Sequence, residues 1–328
     1  MNEQTSLPRL AIGSLGGTVS MQASTLGCGV RPTLGCDAQL AQVPQLRELA
    51  DLEVATLGLL PSASMGFAAL LDVLAWARAE VERGAQAVIL TQGTDSLEET
   101  AYFLHLLWPF DAPLVMTGAM RAANQPGNDG PANLLAAAQV ALAQDSRGRG
   151  VLVVMNDQVH CAARVRKTAS LAMAAFRSGC GPLGDVVEGV VVYRQAPARR
   201  KVLPLPHCTE HRVALLEVCL DADTALLQAV ATLGYEGLVI AGFGAGHVSG
   251  GWSEVLGQLV PALPVIVATR TGSGPTASAS YGFAGAEIDL QAKGVQMAGQ
   301  LCPRKCRILL WLLIGTGRQQ QLHSWLPC

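Results

Sequence analysis

The chain has 328 residues and a net charge of −2; half of its residues are hydrophobic and 15% are charged. This composition excludes a disordered chain, and without a long basic block it excludes a nucleic-acid partner. The longest apolar run, residues 308–314, is far shorter than the roughly 20 residues that cross a membrane. The polar N-terminus shows no secretory signal, and the nine scattered cysteines lack metal-ligand spacing, so we expect a cytoplasmic protein with reduced thiols and no metal.

Short apolar segments alternate with amphipathic helical segments in the first two thirds of the chain. Nearly continuous apolar runs predict buried parallel strands at residues 9–14, 86–91, 113–117 and 150–155. Helices are predicted over residues 66–83, from the capping-box pattern of residues 96–99 to about residue 107, and from Asp129 to near residue 144. Strand–helix alternation at this spacing predicts a doubly wound α/β domain.

The pattern breaks at residues 194–212, where three prolines lie among clustered basic residues. This composition is typical of a linker, and the basic block at residues 198–201 is interpreted as solvated. Beyond it, strands are predicted at residues 213–218, 238–241 and 264–268, and helices at residues 221–233 and 304–313. We therefore expect an α/β protein of two domains. A larger N-terminal doubly wound parallel-sheet domain comprises residues 1–194. A linker follows at residues 195–212, and a smaller C-terminal α/β domain comprises residues 213–328.

Glycine and hydroxyl residues follow the predicted strands of the first domain. In open α/β sheets, ligands bind beyond the carboxyl ends of the strands. The segments found there are Gly16-Gly17-Thr18, Gln92-Gly93-Thr94-Asp95, Gly118-Ala119-Met120-Arg121 and Asn156-Asp157. Their convergence on one edge of the sheet indicates a binding site there.

Three residues in or near these segments have a catalytic and a purely structural interpretation. Thr18 follows two glycines that let the backbone approach a ligand, so its hydroxyl is a candidate nucleophile. In the structural interpretation, the hydroxyl only forms a hydrogen bond to the backbone of a turn. Asp95 precedes a helix and could hold a substrate ammonium, or it caps the helix. Lys167 could act as a base towards Thr94 if burial or neighbouring cations disfavour its charged form, or it is a surface lysine.

Together these segments resemble the bacterial L-asparaginase family, which includes asparaginase-glutaminases. The most specific part is Gln92-Gly93-Thr94-Asp95-Ser96-Leu97-Glu98-Glu99-Thr100-Ala101-Tyr102-Phe103, which is similar to the family's threonine-aspartate signature. Gly16-Gly17-Thr18 resembles its N-terminal signature. Further ordered matches are residues 113–121, 129–134, 151–157 and 165–168. The resemblance covers nearly the whole chain.

The resemblance implies a reaction and a role for each site residue. L-Asparagine is hydrolysed to aspartate and ammonia without a cofactor, through a threonine acyl-enzyme. Thr18 is then the nucleophile, Thr94 and Lys167 relay protons, and Asp95 holds the substrate amino group. Ser62 holds the α-carboxylate beside Ala63, and the backbone around Gly93 and Ala119 stabilises charge on the amide oxygen. The family is usually a homotetramer, a dimer of intimate dimers, and here residues 280–287 with Glu287 are expected to complete a neighbouring subunit's site.

This chain departs from the family at several positions. Residues 21–36 contain no tyrosine, although many members carry one in this loop. Ala63 stands where many have glutamine, and His247 lies where many have an asparagine, as a substitute or a bystander. Residues 316–328 are unlike the usual final helix. These differences bear on substrate preference, and we expect weak glutaminase activity beside asparagine hydrolysis.

Four other functions compete with this interpretation. A glutaminase-asparaginase would hydrolyse glutamine as efficiently as asparagine. An amidase subunit acting on glutaminyl-tRNA would need a nucleic-acid partner, and an inactive amino-acid-binding protein would not need both threonines and the lysine. A nucleotide- or flavin-dependent protein is suggested by the glycine-rich residues 241–246, but these lack the G-x-G-x-x-G spacing.

Overall fold

The structure, a computed structural model, describes residues 6–17, 21–23, 30–32 and 35–326. The chain divides into two compact units, residues 1–202 and residues 203–328. No helix within the described residues is long and apolar enough to cross a membrane.

The first unit contains most of the strands of the molecule. They are β1 Arg9–Ser14, β2 Met21–Ala23, β3 Val30–Pro32, β4 Asp51–Thr56, β5 Ala87–Thr91, β6 Leu114–Thr117, β7 Val151–Met155, β8 Gln158–Cys161, β9 Val165–Lys167, β10 Phe176–Ser178, β11 Gly184–Val187 and β12 Val190–Tyr193. Its helices are α1 Cys36–Leu40, α2 Leu46–Leu49, α3 Phe67–Glu82, α4 Leu97–Leu107 and α5 Gly130–Leu142.

Among the described residues, eight of these strands form one sheet in the order β12-β11-β8-β7-β6-β5-β1-β4. Strands β4, β1, β5, β6 and β7 are parallel, as the sequence predicts for four of them, whereas β8, β11 and β12 add antiparallel pairings. The fold class is confirmed, but the antiparallel strands and the edge strand β4 were missed. Strands β4, β11 and β12 are partly exposed along their length, so their sequences lack the buried apolar run that marks the central strands.

Helices cover both faces of this sheet. On one face, alternate residues such as Leu10 and Ile12 pack in one apolar cluster with residues of α1, α2 and α5. On the other, Gly13 leaves room for Trp76 of α3, since a Cβ added at Gly13 would lie 2.8 Å from the indole ring. Glu80 of α3 is also buried, with its carboxylate paired to Arg9 and Arg83.

The linker region, described residues 194–212, contains no helix or strand. The interpretation of its basic block as solvated is wrong for Arg200. This guanidinium donates hydrogen bonds to the carbonyl oxygens of Trp108, Phe110 and Gly148 at 3.1–3.2 Å. Arg200 therefore fastens the linker's first half to the first unit, because a planar guanidinium can satisfy several carbonyl groups at once.

The second unit is a smaller α/β layer structure. Its elements are β13 Val213–Glu217, α6 Ala225–Thr232, β14 Gly237–Gly242, α7 Gly250–Leu259, β15 Val265–Thr269, α8 Glu287–Ala292, β16 Gln296–Met297, α9 Pro303–Gly315 and α10 Leu322–Trp325. The described strands are parallel in the order β13-β14-β15-β16. The predicted helix at 221–233 begins only at Ala225, because Asp221 has a positive φ of 59° and cannot continue a helix.

Candidate active site

The glycine turn after β1 touches the loop after β5. Gly16 and Gly17 have φ values of 92° and 86°, which favour glycine. A Cβ added at Gly17 would lie 2.0 Å from the backbone nitrogen of Gly93, so no side chain fits between the two loops. This contact follows from the parallel pairing of β1 with β5. Thr18, the expected nucleophile, comes directly after Gly17 but lies outside the described residues.

Lys167 reaches the threonine-aspartate loop from another part of the chain. Its Nζ donates hydrogen bonds to Thr94 Oγ1 at 2.9 Å and to Asp95 Oδ1 at 2.8 Å. Thr94 is buried, whereas the Asp95 side chain is 72% exposed. Lys167 occupies Oδ1 of Asp95, and the rest of the exposed carboxylate is open to a ligand. Lys167 is therefore not a freely solvated surface lysine.

Glu98 positions the backbone of Lys167. Lys167 lies on β9, which forms an antiparallel pair with β10, and its backbone N–H donates to the buried carboxylate of Glu98 on α4. Since Glu98 follows Asp95 by three residues, the same helix start carries the aspartate and fixes the lysine's strand. The sequence analysis missed this role, since the first turn of α4 carries two consecutive acids and the sequence does not show that Glu98, rather than Glu99, is the buried one.

Ser62 lies against the same loop. It opens a short 3-10 turn, Ser62–Ser64, and its Oγ would be 2.7 Å from a Cβ added at Gly93. Ser62 is buried, and its neighbour Ala63 is exposed. The expected substrate-binding serine therefore contacts the residue that precedes Thr94.

The loop after β6 closes another side of the site. Ala119 is fully buried, and a Cβ added at Gly118 would lie 2.5 Å from the carbonyl oxygen of Gln92. Asp129 accepts hydrogen bonds from the backbone N–H groups of Met120 and Arg121 at 2.9–3.0 Å. Such bonds fix the orientation of the peptide groups around Ala119.

Asn133 ties this loop to the next strand. Its amide donates to the carbonyl oxygen of Gly118 at 3.0 Å, and its Oδ1 accepts from the backbone N–H of Asn156 at 2.9 Å. Asn156 has a positive φ of 52°. The segment after β7, which the sequence predicts to lie at the site, is linked to it through the hydrogen bond from the Asn156 backbone to Asn133.

The Ser96 half of the capping box expected at the start of α4 is not formed. The helix runs over Leu97–Leu107 as predicted, yet Ser96 makes no side-chain cap hydrogen bond. Its Oγ instead donates to the carbonyl oxygen of Ser62 at 2.7 Å and accepts from Gln92 Nε2 at 3.0 Å. A tertiary hydrogen bond has replaced the local one, which a sequence pattern cannot reveal.

Glu287 lies in the second unit at the start of α8. Its carboxylate is fully buried and accepts from the N–H groups of Ser280 at 2.5 Å and Tyr281 at 2.6 Å. His247 Nε2 lies 3.3 Å from Oε2. Burial acts to raise the pKa of Glu287, but the hydrogen bonds from Tyr281, its own N–H, Ser280 and His247 together hold it below its ordinary value.

Within the described residues, no group of three or more His, Cys, Asp or Glu side chains could hold a metal ion. The site in the first unit is instead a threonine and a lysine in hydrogen-bond contact, an open carboxylate, and glycine loops that bring backbone groups close together. This set of groups suits nucleophilic hydrolysis of a small polar substrate.

Comparisons with known proteins agree over both units. A family model described as "Asparaginase, N-terminal" matches residues 9–199, and one described as "Glutaminase/Asparaginase C-terminal domain" matches residues 212–324. The fold and these matches define a two-domain amidohydrolase-type α/β architecture. The chain belongs to the asparaginase family.

Individual relatives are similar along almost their whole length. A "Probable L-asparaginase" of Deinococcus radiodurans is 35% identical, with 96% of each chain covered. A "Probable L-asparaginase periplasmic" of Haemophilus influenzae is 32% identical, with 96% of this chain and 91% of the relative covered. The crystal structure of a "Probable Cytoplasmic L-asparaginase from Campylobacter jejuni" has a TM-score of 0.85 at 30% identity, covering 97% of this chain and 99% of that one.

Proposed function

We propose that the protein hydrolyses the side-chain amide of L-asparagine to L-aspartate and ammonia. The observation that carries the proposal is the hydrogen bond from Lys167 to Thr94, beside the glycine turn that leads to Thr18. A binding protein would not need a lysine and a buried threonine in contact next to a second threonine. The names of the relatives support the same substrate.

In the proposed mechanism, the Thr18 hydroxyl attacks the amide carbon of asparagine. Its proton passes to the Thr94–Lys167 pair, and the backbone around Gly93 and Ala119 stabilises the negative charge on the amide oxygen. The same pair returns the proton to the departing ammonia, which leaves an aspartyl ester on Thr18. Water, deprotonated by the pair, then attacks this ester. The pair returns that proton to the departing Thr18 oxygen, which releases aspartate and restores the hydroxyl.

The substrate is held at its two charged ends. Asp95 binds the α-ammonium with the carboxylate oxygen that does not accept from Lys167, and Ser62 binds the α-carboxylate. Because Lys167 competes for Asp95, a second anion strengthens ammonium binding, and Glu287 of a neighbouring subunit is the candidate. The active form is then a homotetramer built from intimate dimers.

Size selectivity follows from Ala63, a small exposed side chain that offers no polar contact to the substrate. One methylene in a pocket decides about 1–3 kcal/mol. Glutamine is therefore a weak substrate. The proposed location is the cytoplasm, which the name of the Campylobacter protein supports, whereas the Haemophilus relative is named periplasmic. Fractionation of the native host separates the two locations.

The central experiment measures ammonia release from asparagine and glutamine side by side, with Thr18→Ala as the paired variant. Wild-type protein should release ammonia from asparagine, more slowly from glutamine, and Thr18→Ala should lose nearly all activity while remaining folded. Near-native turnover by the variant would remove Thr18 as the nucleophile. Saturable asparagine binding without any ammonia release would identify a binding protein instead.

A dilution series tests the shared site. Specific activity should fall as the oligomer dissociates, measured by sedimentation at the same protein concentrations. A monomer with full activity contradicts the role of a neighbouring subunit but leaves the threonine chemistry standing.

A further inference from the structure

Ser96 is the N-cap residue directly before α4, a position where a serine side chain ordinarily caps the helix. Here its hydroxyl points away from the helix N–H groups. It donates to the carbonyl oxygen of Ser62, 34 positions earlier in the chain, at 2.7 Å. The bond joins two loops of the proposed site, the turn that begins at Ser62 and the threonine-aspartate loop.

Gln92 determines the direction of that hydroxyl. A serine hydroxyl has a single proton to donate, and Gln92 Nε2 donates to Ser96 Oγ at 3.0 Å. The Ser96 proton is therefore free for the Ser62 carbonyl. With the amide reversed, Ser96 would have to donate to both partners, which one proton does not allow. Gln92 is fully buried, and its Oε1 has no hydrogen-bond donor among the described residues. The hydrogen bond that its side chain makes there is the one that Nε2 donates to Ser96.

The Ser62 carbonyl is also the acceptor that closes the 3-10 turn. It accepts from the backbone N–H of Met65 at 3.2 Å, in addition to Ser96 Oγ. Two donors on one oxygen fix the plane of the peptide group that follows Ser62. The Ser62 side chain, on the same residue, is thereby held against Gly93.

We propose that Ser96 is a positioning residue for the substrate α-carboxylate, acting through Ser62, with Gln92 orienting its hydroxyl. The inference rests on the proposed function, because it assigns Ser62 to the carboxylate of asparagine. Ser96 itself does not touch the substrate. Its loss should weaken binding of the carboxylate and leave the proton relay between Lys167 and Thr94 in place.

The test compares Ser96→Thr with Ser96→Val, two side chains of similar shape that differ in the hydroxyl. The valine variant should raise the KM for asparagine about threefold to tenfold, the effect of one typical hydrogen bond, with kcat changed less than about twofold. The threonine variant should stay near the wild-type KM. Ser64→Ala, which removes an exposed hydroxyl from the same turn, is the matched control and should change neither constant.

Inhibition by succinamate, which is asparagine without its amino group, separates the carboxylate from the ammonium end. Ser96→Val should weaken succinamate binding by the same factor as it raises the KM for asparagine. If succinamate inhibition is unchanged while the KM for asparagine rises, the effect runs through neighbouring Asp95 and the inference is wrong. An unaltered KM in the valine variant is equally decisive against it.

These outcomes are distinct from failure of the proposed function. Absence of ammonia release by wild-type protein overturns the proposed function, whatever the variants do. An active wild-type enzyme with an unaffected Ser96→Val variant overturns only the role of Ser96. Equal thermal unfolding midpoints of the three Ser96 forms confirm that the kinetic differences come from the site.

Discussion

Two acidic residues proposed to meet the substrate ammonium lie in very different surroundings. Asp95 in the first unit is 72% exposed and accepts one hydrogen bond of 2.8 Å from Lys167. Glu287 in the second unit is fully buried and accepts from two backbone N–H groups and faces His247. The aromatic rings of Tyr281 and Phe283 pack edge-on against His247 at 5.0 and 5.2 Å.

The contrast separates an acid that is open to a ligand from one that holds its own loop. Asp95 needs no rearrangement to bind an ammonium group. Glu287 Oε1 already accepts two hydrogen bonds, so a ligand could bond only to Oε2. The carboxylate is fully buried, so Oε2 is closed to solvent. A substrate role for Glu287 therefore depends on access of the substrate to Oε2, which faces His247, whereas Asp95 is already exposed.

Loss of Lys167 should have the largest effect on the open site. Lys167→Met should lower kcat about 10²- to 10⁴-fold with little change in KM, because it removes proton transfer and leaves the groups that bind substrate. Steady-state ammonia release measures both constants.

Lys167→Arg is the matched control, since arginine keeps the positive charge and a pairing with Asp95 but cannot act as a base. It should be as inactive as the methionine variant. Weaker binding with unchanged turnover in Lys167→Met would contradict the relay role.

Glu287→Gln tests whether the enclosed acid reaches the substrate. We expect the KM for asparagine to rise about tenfold, the effect of losing one charge-assisted hydrogen bond, in a protein that remains folded because the glutamine Oε1 can still accept from Ser280 and Tyr281. Glu254→Gln, an exposed glutamate on α7, controls for the change in net charge.

The alternative outcome for Glu287→Gln is equally informative. A lower unfolding temperature with an unchanged KM would make Glu287 a purely structural residue of its loop. Asp95 would then be the principal anion for the substrate ammonium.

Acid should destabilise the two units in different pH windows. Burial lowers the pKa of His160 in the first unit to about 4, against the opposing charge of Asp185. The unfolded chain, with the ordinary value of 6.5, binds a proton that the folded unit does not, so stability falls as the pH drops from about 6.5 to about 4.

In the second unit, hydrogen bonds from Lys293, Ser253 and the N–H of Gly285 lower the pKa of Asp289 to about 2 from 3.8. Its stabilising contribution is complete above 3.8 and is lost as the pH falls towards 2. Hydrogen exchange of peptides from each unit should show this order. His160→Gln should remove much of the loss of stability that the first unit shows between about pH 6.5 and pH 4. Identical pH profiles of the two units would refute the assignment.

The smallest effect concerns two serines at equivalent helix positions. Ser249 caps α7 by accepting from the N–H of Trp252 at 3.3 Å, whereas Ser96 does not cap α4. Ser249→Ala should lower the free energy of unfolding by about 1 kcal/mol and leave kcat and KM unchanged. Urea denaturation measures the loss, and Ser249→Asp, which can also cap, should restore most of it. No loss in the alanine variant would show that this cap contributes nothing.

Much of the first unit's architecture could be predicted from sequence. Strand β1 was placed at residues 9–14, its observed bounds, because a strand buried on both faces is a continuous apolar run. Glycine-rich and hydroxyl segments after successive strands predicted one site at the sheet edge, since parallel strands end on the same side. The contacts among Gly17, Gly93 and Ser62 agree with that expectation.

Local sequence patterns do not show which polar groups form long-range hydrogen bonds. Lys167 meets Thr94 across 73 positions, and the pattern around residue 167 is that of any surface lysine, so this pair was expected only from the family resemblance. Ser96 matched a capping box, yet its hydroxyl bonds to Ser62, because a buried carbonyl nearby in space competes with the helix N–H groups.

What the sequence alone determined is the central parallel strands and the main helices between them, the two-domain α/β class and the residue types gathered at one edge, because these depend on local periodicity and composition. The tertiary structure decided which polar groups pair and which acids stay open. Asp95 is exposed and Glu287 enclosed, although both precede or begin a helix. The difference lies in the segments that fold over them, a half-buried lysine from β9 in one case and the loop of residues 280–283 in the other.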